Sequence, residues 1–179
     1  MTLRILVVCT ANRCRSPMAE VLLASRLPGI EVASAGSMEP GHPASGGSAR
    51  AMIARGLDLS QHVSQQLSAE LIENADLVIC MARQHLREVA VTAPAAFPRT
   101  FTLRELVRRG ETVGPATATF DEWLGRVGEG RRTADLLGDD PHDDVPDPIG
   151  GPEEGYVRTA TQLEELVERL GRLLDPILE

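Results

Sequence analysis

The sequence contains few aromatic residues, few cysteines and no long hydrophobic run. Aromatic side chains make up 3% of the 179 residues, so we expect a core of Leu, Val, Ala and Ile. No stretch approaches the roughly 18 apolar residues of a membrane-spanning helix, and the apolar amino-terminal run is too short for a signal peptide. Three cysteines, an odd and low number, are typical of reduced thiols and predict a cytoplasmic protein.

The chain also has fewer basic residues than acidic ones. The chain has 26 acidic and 18 basic residues and a formal net charge of -8, which leaves no basic stripe to neutralise nucleic-acid phosphates. We therefore expect neither a nucleic-acid nor a membrane partner, and any anion site has to be local. The length and the 42% hydrophobic content fit one domain over residues 1–179, because no repeat or strong break divides the chain.

Short apolar runs alternate with segments of helical periodicity along the chain. The runs predict four strands, at residues 3–8, 30–35, 75–81 and 99–103. Helical spacing predicts helices at residues 16–27, 49–55, 69–74, 83–91, 103–109, 120–127 and 152–174. This alternation predicts an α/β fold in which a doubly wound, four-stranded parallel sheet lies between two helical layers, with ligands bound where the strands end.

The chemistry is expected between the first strand and the first helix. Cys9 ends the strand, and Ser16 followed by Pro17 predicts the helix start, with Ser16 as its cap. Residues 9–15, which we call the cradle loop, have the spacing Cys-x5-Arg. A tight loop before a helix amino terminus turns backbone N–H groups inward, and Arg15 adds a planar fork for a tetrahedral oxyanion. The same field favours a thiolate at Cys9, so the loop predicts phosphoryl transfer through a phosphocysteine.

The residues around this loop resemble a known family. The signature of the low-molecular-weight protein tyrosine phosphatases is closely matched by Val8-Cys9-Thr10-Ala11-Asn12-Arg13-Cys14-Arg15-Ser16-Pro17-Met18-Ala19-Glu20. The likeness continues at Ser34-Ala35-Gly36, Gly56-Leu57-Asp58-Leu59-Ser60-Gln61-His62, Ala75-Asp76-Leu77-Val78-Ile79-Cys80-Met81 and Val145-Pro146-Asp147-Pro148. The chain is longer than the compact form of this family, and we expect the excess as an insertion at about residues 111–138.

The resemblance implies a role for each matched residue. Cys9 is implied to be the nucleophile, Arg15 the ligand of the equatorial phosphoryl oxygens, and Asp147 the general acid and then the general base. Ser16 is implied to donate its hydroxyl to the Cys9 thiolate, and Asn12 to hold the shape of the loop. The other cradle residues, implied to bind phosphate or support the loop, are Thr10, Ala11, Arg13 and Cys14.

Some positions depart from the family pattern or leave two interpretations open. Arg13 stands where tyrosine-directed members usually carry an apolar residue and arginine-phosphate-directed members a threonine. Ile149 follows Asp147-Pro148 where an aromatic residue is frequent, so Met38 and Ile149 are the expected pocket walls, with Tyr156 or Trp123 as substitutes. Cys14 is either a reversible disulfide partner of the nucleophile, as the family implies, or a small packing residue.

The histidines are expected outside the chemistry. His62 is predicted to support the cradle loop through hydrogen bonds, and His42 and His85 are predicted at the surface. His142 and the acids around it match no standard metal-ligand spacing, so we expect no metal and no cofactor.

These observations favour a metal-independent phosphomonoester hydrolase that acts on phosphotyrosine in proteins. One alternative is an arsenate reductase that uses external thiols, and a weaker one is an inactive module that binds phosphorylated proteins. The retained Asp147-Pro148 pair favours ester cleavage over both.

Overall fold

The computed structural model describes residues 2–138 and 140–178. Within them, four parallel strands form one sheet in the order β2-β1-β3-β4: β1 (Arg4–Cys9), β2 (Glu31–Gly36), β3 (Leu77–Cys80) and β4 (Thr100–Thr102). Cys9 pairs with Gly36 and Val8 with Cys80, so the carboxyl ends of three neighbouring strands meet at one edge of the sheet. The predicted strands and the parallel α/β sheet are confirmed.

Helices account for most of the remaining described residues. The α-helices are α1 (Arg15–Arg26), α2 (Gly46–Ile53), α3 (Ala69–Glu73), α4 (Arg83–Thr92), α5 (Leu103–Val113), α6 (Phe120–Gly128) and α7 (Glu153–Leu178). Two 3₁₀ helices lie at Pro94–Arg99 and Thr133–Leu136. Across residues 2–138 and 140–178, none of the helices combines the length and the apolar content needed to cross a membrane.

The helices lie in two layers, because successive residues of a strand point to opposite faces of the sheet. Ile5 and Val7 pack into a core with buried residues of α1, α2, α5, α6 and α7. Leu6 and Val8 pack into a second core with buried residues of α3 and α4. The predicted three-layer arrangement is confirmed, and it places the end of β1 and the start of α1 at the middle of the sheet edge.

Several predicted helix ends are wrong: α2 begins at Gly46 rather than at residue 49, and α7 continues to Leu178 rather than ending at residue 174. Two others have identifiable physical reasons. Helix α1 begins at Arg15, and its cap is Cys14, whose side chain makes no capping hydrogen bond to the helix, so Ser16 is not the cap. The Ser16 hydroxyl lies instead near the Cys9 sulfur. Helix α5 continues past Gly110 to Val113, because this glycine packs against α6 and α7 rather than ending the helix. A Cβ there would lie 2.8 Å from Leu173 Cδ1 and 3.0 Å from Trp123 Cζ2.

Arg131 connects the segment at residues 111–138 to the sheet. Arg131 lies 4.6 Å from the ring centre of Phe97 and 3.8 Å from that of Phe101. Its side chain is 6% exposed and pairs with Glu105 of α5 at 2.8 Å. The predicted helix at residues 120–127 is confirmed as α6, whose Trp123 is buried and donates to the Gly114 carbonyl.

Candidate active site

The Cys9 thiol and the Ser16 hydroxyl are in direct contact at the end of β1. Cys9 Sγ lies 2.9 Å from Ser16 Oγ, and both side chains are buried. Ser16 Oγ also accepts an N–H from Asn12 Nδ2 at 2.9 Å. Because that bond uses the oxygen as an acceptor, the Ser16 proton is free to be donated to the sulfur. The cradle loop therefore places a hydrogen-bond donor against the Cys9 sulfur.

Asn12 fixes the turn of the cradle loop from the inside. It is fully buried and has a φ of 53°, in the left-handed region that asparagine tolerates better than most residues. Its side-chain Oδ1 accepts the Gln65 N–H at 2.9 Å, and its backbone oxygen lies 2.7 Å from His62 Nε2. The predicted support from His62 is confirmed. One buried amide thus joins the loop to a segment more than 50 residues away.

Gly36 lies against the backbone of the cradle loop. A Cβ at this position would lie 2.6 Å from the Thr10 carbonyl oxygen and 2.7 Å from the Asn12 backbone nitrogen, with Ala11 C at 3.0 Å. Backbone atoms cannot move aside as a flexible side chain can. The end of β2 therefore needs glycine for the loop to keep its shape.

Arg15 and Asp147 meet although 132 residues separate them. Arg15 Nη2 lies 2.7 Å from Asp147 Oδ2, and Arg15 Nη1 donates to the Val145 carbonyl at 3.0 Å. The Arg15 side chain is 6% exposed, whereas that of Asp147 is 35% exposed. Within the described residues, the buried Arg15 Nε–H has no hydrogen-bond partner. The arginine thus offers an unused donor to an oxyanion, with a carboxylic acid beside it.

The loop that carries Asp147 is held by contacts that the sequence did not reveal. In residues 140–148, which we call the acid loop, Asp143 is buried and accepts from Arg108 Nη1 at 2.6 Å. Asp144 Oδ1 accepts the Arg83 N–H at 2.8 Å, and the Asp144 carbonyl accepts from Arg104 at 3.0 Å. Asp143 and Asp144, which the sequence suggests are solvent-exposed charges, therefore hold the acid loop in place. Asp139 lies outside the described residues.

His85 is buried beneath the cradle loop, so its predicted surface position is wrong. It is fully buried, and its Nε2 lies 2.8 Å from Thr10 Oγ1. Burial, helped by the charge of Arg15, lowers the His85 pKa to about 3. Its position four residues before the buried Val89, on the inner face of α4, is the signal that could have identified it.

The remaining predicted site residues lie at or under the rim. Arg13 is half-buried and donates from Nε to the Pro43 carbonyl at 3.0 Å. Cys14 is a buried free thiol that donates to Ser45 Oγ, and burial raises the pKa of that thiol. Met38 and Ile149 are 55% and 52% exposed.

The two side chains predicted as substitute walls are buried. Trp123 lies in the core beside α5, and the Tyr156 ring packs where a Cβ of Gly47 would lie. Both rings are therefore engaged in packing contacts. Within residues 2–138 and 140–178, no three His, Cys, Asp or Glu side chains form a metal-binding group.

Comparisons with known proteins agree with this geometry. The family model of the low molecular weight phosphotyrosine protein phosphatases matches residues 4–113. A probable low molecular weight protein-tyrosine-phosphatase, EpsP of Ralstonia solanacearum, is 42% identical over 103 residues, covering 57% of this chain and 71% of EpsP. A protein-arginine-phosphatase of Geobacillus stearothermophilus is 35% identical over 176 residues, 97% of each chain.

A solved structure extends the likeness to the whole fold. The YwlE arginine phosphatase, in a cysteine-to-serine variant whose active-site serine is phosphorylated, has a TM-score of 0.74 and 32% identity. The match covers 99% of this chain and 100% of the other. The chain therefore belongs to the low molecular weight phosphotyrosine protein phosphatase family, whose members are hydrolases.

Proposed function

We propose that the protein hydrolyses phosphotyrosine in other proteins, with Cys9 as nucleophile, Arg15 as phosphoryl ligand and Asp147 as general acid and base. One arrangement carries this proposal. Cys9 and Arg15 lie on one loop of seven residues. The Cys9 sulfur is hydrogen-bonded to Ser16, and the Arg15 guanidinium forms a salt bridge with Asp147. Nucleophile, oxyanion ligand and proton donor are the three groups that ester cleavage at phosphorus requires.

The first half of the reaction transfers the phosphoryl group to sulfur. Phosphoryl oxygens bind Arg15, including its unused Nε–H, and the backbone N–H groups of the cradle loop. The Cys9 thiolate attacks phosphorus, so an S–P bond forms while the P–O bond to the tyrosine ring breaks. Protonated Asp147 gives its proton to the departing phenolate oxygen.

The second half returns the enzyme to its starting state. The Asp147 carboxylate takes a proton from water, whose oxygen attacks phosphorus as the S–P bond breaks. Phosphate leaves, and Ser16 stabilises the departing Cys9 thiolate. The phosphorylated active-site serine named for the related YwlE variant supports transfer to the residue at this position. In this scheme Arg15 binds the phosphoryl charge, Ser16 stabilises the thiolate, and Asp147 carries out both proton transfers. The proposal therefore needs no metal or cofactor.

A phosphoarginine substrate is the second candidate, because the protein-arginine-phosphatase relative aligns with 97% of this chain. Arg13 argues against it. Its guanidinium is fixed on the rim by Pro43 through Nε alone, and the structure gives it no carboxylate partner among the described residues. The guanidinium of phosphoarginine would be repelled there, whereas a tyrosine ring would be attracted by a cation–π contact.

The proposal includes several further assignments. Met38 and Ile149 are assigned to the apolar rim of the pocket, and Cys14 is assigned as a second thiol able to protect Cys9 by a reversible disulfide. Residues 1–179 are assigned to one catalytic domain with an insertion at 111–138. The substrate is a phosphorylated protein, and the reduced thiols fit a cytoplasmic location.

Initial rates on two peptides of the same sequence, one with phosphotyrosine and one with phosphoarginine, test this function. We expect the phosphotyrosine peptide to be hydrolysed faster and Cys9→Ser to hydrolyse neither. Arg13→Met should raise the relative rate on phosphoarginine, whereas the surface variant Arg172→Met, as a matched control, should not. Faster hydrolysis of phosphoarginine would establish the second candidate instead. Arsenate reduction with added thiols, without phosphatase activity, would contradict both.

A further inference from the structure

We propose that His85 is a positioning residue of the phosphoryl site: its Nε2 accepts a hydrogen bond from the Thr10 hydroxyl and so turns the Thr10 oxygen toward Arg15. This inference rests on the proposed function, since it concerns the arginine assigned to the phosphoryl group. Nothing in the chemistry above uses His85, although it lies in the first turn of α4 directly under the cradle loop.

The hydrogen bonds around Thr10 set the direction of each proton. Thr10 Oγ1 accepts from Arg15 Nη2 at 3.4 Å and from Gln84 Nε2 at 3.2 Å. A guanidinium can only donate, so the oxygen is an acceptor on that side. The single Thr10 proton then points to His85 Nε2, 2.8 Å away. The Gln84 amide nitrogen also lies 3.3 Å from this ring nitrogen, as expected when the nitrogen is an acceptor.

The other ring nitrogen carries the cost of this arrangement. If Nε2 accepts, the neutral imidazole carries its proton on Nδ1. His85 Nδ1 is buried and has no hydrogen-bond partner in the described residues. A buried donor without a partner destabilises the folded protein. A buried histidine at this position therefore does not serve the stability of the fold alone. Its contribution is the hydrogen bond to Thr10.

Burial and a neighbouring charge keep the ring neutral. Burial is the main cause, and the positive charge of Arg15 adds to it, so the pKa of the imidazole falls to about 3. A protonated ring would donate to Thr10 instead of accepting, and it would place a second cation beside Arg15. The neutral ring thus preserves both the Thr10 orientation and the charge that the phosphoryl group meets.

The contact matters most once substrate is bound. In this structure Arg15 Nη2 is shared between Asp147 and Thr10. When a phosphoryl group takes the place of the Asp147 carboxylate, the Thr10 oxygen remains as a fixed partner of Nη2. Losing the His85 acceptor frees the Thr10 hydroxyl to rotate, so the guanidinium is held less well for the transition state.

The test compares His85→Phe, which keeps a ring but no acceptor, with His85→Gln, which can place an amide oxygen near the position of Nε2. We expect kcat/KM on para-nitrophenyl phosphate to fall about tenfold in His85→Phe and to recover largely in His85→Gln. Thr10→Val should lose a similar factor, and the double variant should lose no more than either single one. Val89→Ala, a buried position on the same helix without polar contacts to the loop, is the control and should lower Tm but not kcat/KM.

Two readouts do not depend on turnover. Calorimetry with inorganic phosphate should show weaker binding to His85→Phe than to the wild type. Side-chain ¹⁵N NMR should show the neutral Nδ1–H tautomer of His85 throughout the pH range in which free histidine titrates. Additive losses in the double variant, no rescue by Gln, or a proton on Nε2 would overturn the proposal. A wild type without phosphatase activity would refute the proposed function, while the tautomer and phosphate binding would still decide the placement of His85.

Discussion

Replacing His85 by Phe is expected to change how the stability of the protein depends on pH. In the folded state the pKa of His85 is about 3, compared with an ordinary value of 6.5 in the unfolded chain. The unfolded state therefore binds a proton over a range in which the folded state does not. Stability from this residue is fully present above pH 6.5 and is lost as the pH falls toward 3. At about pH 5 the loss is roughly 2 kcal/mol relative to about pH 8.

Urea unfolding of the wild type and of His85→Phe, measured at a series of pH values, gives this quantity as a difference. The carboxylates titrate in both proteins, so their contribution cancels when one free energy of unfolding is subtracted from the other. We expect the difference between the two proteins to shift by roughly 2 kcal/mol in favour of the variant between about pH 8 and about pH 5. A difference that stays constant would show that His85 titrates normally in the folded protein and would refute its buried neutral state.

Three further substitutions test the frame around the cradle loop. Gly36→Ala places a Cβ 2.6 Å from a loop carbonyl oxygen, so we expect a loss of about 1–3 kcal/mol in urea unfolding and lower activity; an unchanged kcat would contradict the close approach. Asp147→Asn should lower kcat on aryl phosphates about a hundredfold or more while inorganic phosphate binds more tightly, because a carboxylate no longer competes for the arginine; Asp121→Asn on α6 is the exposed control. Arg131→Met leaves Glu105, whose side chain is 14% exposed, without its partner and should cost about 2–4 kcal/mol, part of which the added change Glu105→Gln restores; equal stability of both variants would argue against a paired charge.

Local pattern was enough to predict the sheet and the layers. The four predicted strands lie within about two residues of those observed. For β1 and β3 the reason is that a strand buried on both faces is apolar almost throughout, whereas β4 was indicated by the strand preference of threonine and phenylalanine. The cradle loop was predictable for a similar reason, since Cys9, Arg15 and the helix that follows are neighbours in sequence.

Features that depend on long-range packing were not predictable from local pattern. Glycine is the residue type that commonly ends a helix, yet Gly110 lies inside α5. Its lack of a side chain allows α5 to pack closely against α6 and α7. His85 is a polar residue of a type expected at the surface, and it is buried because the cradle loop lies above α4. The bonds from Arg104 and Arg108 to the acid loop join residues 35 to 40 positions apart, and no local pattern predicts such contacts.

Direct detection of a phosphoryl group on Cys9 tests the central claim. Wild-type enzyme is mixed with a phosphotyrosine peptide, quenched within one turnover, digested and analysed by mass spectrometry, while phosphate release is followed in parallel. We predict a phosphorylated Cys9 peptide whose appearance precedes phosphate release, and no such peptide with Cys9→Ala. Steady turnover without phosphorylated Cys9, or a phosphoryl group on another residue, would contradict the account.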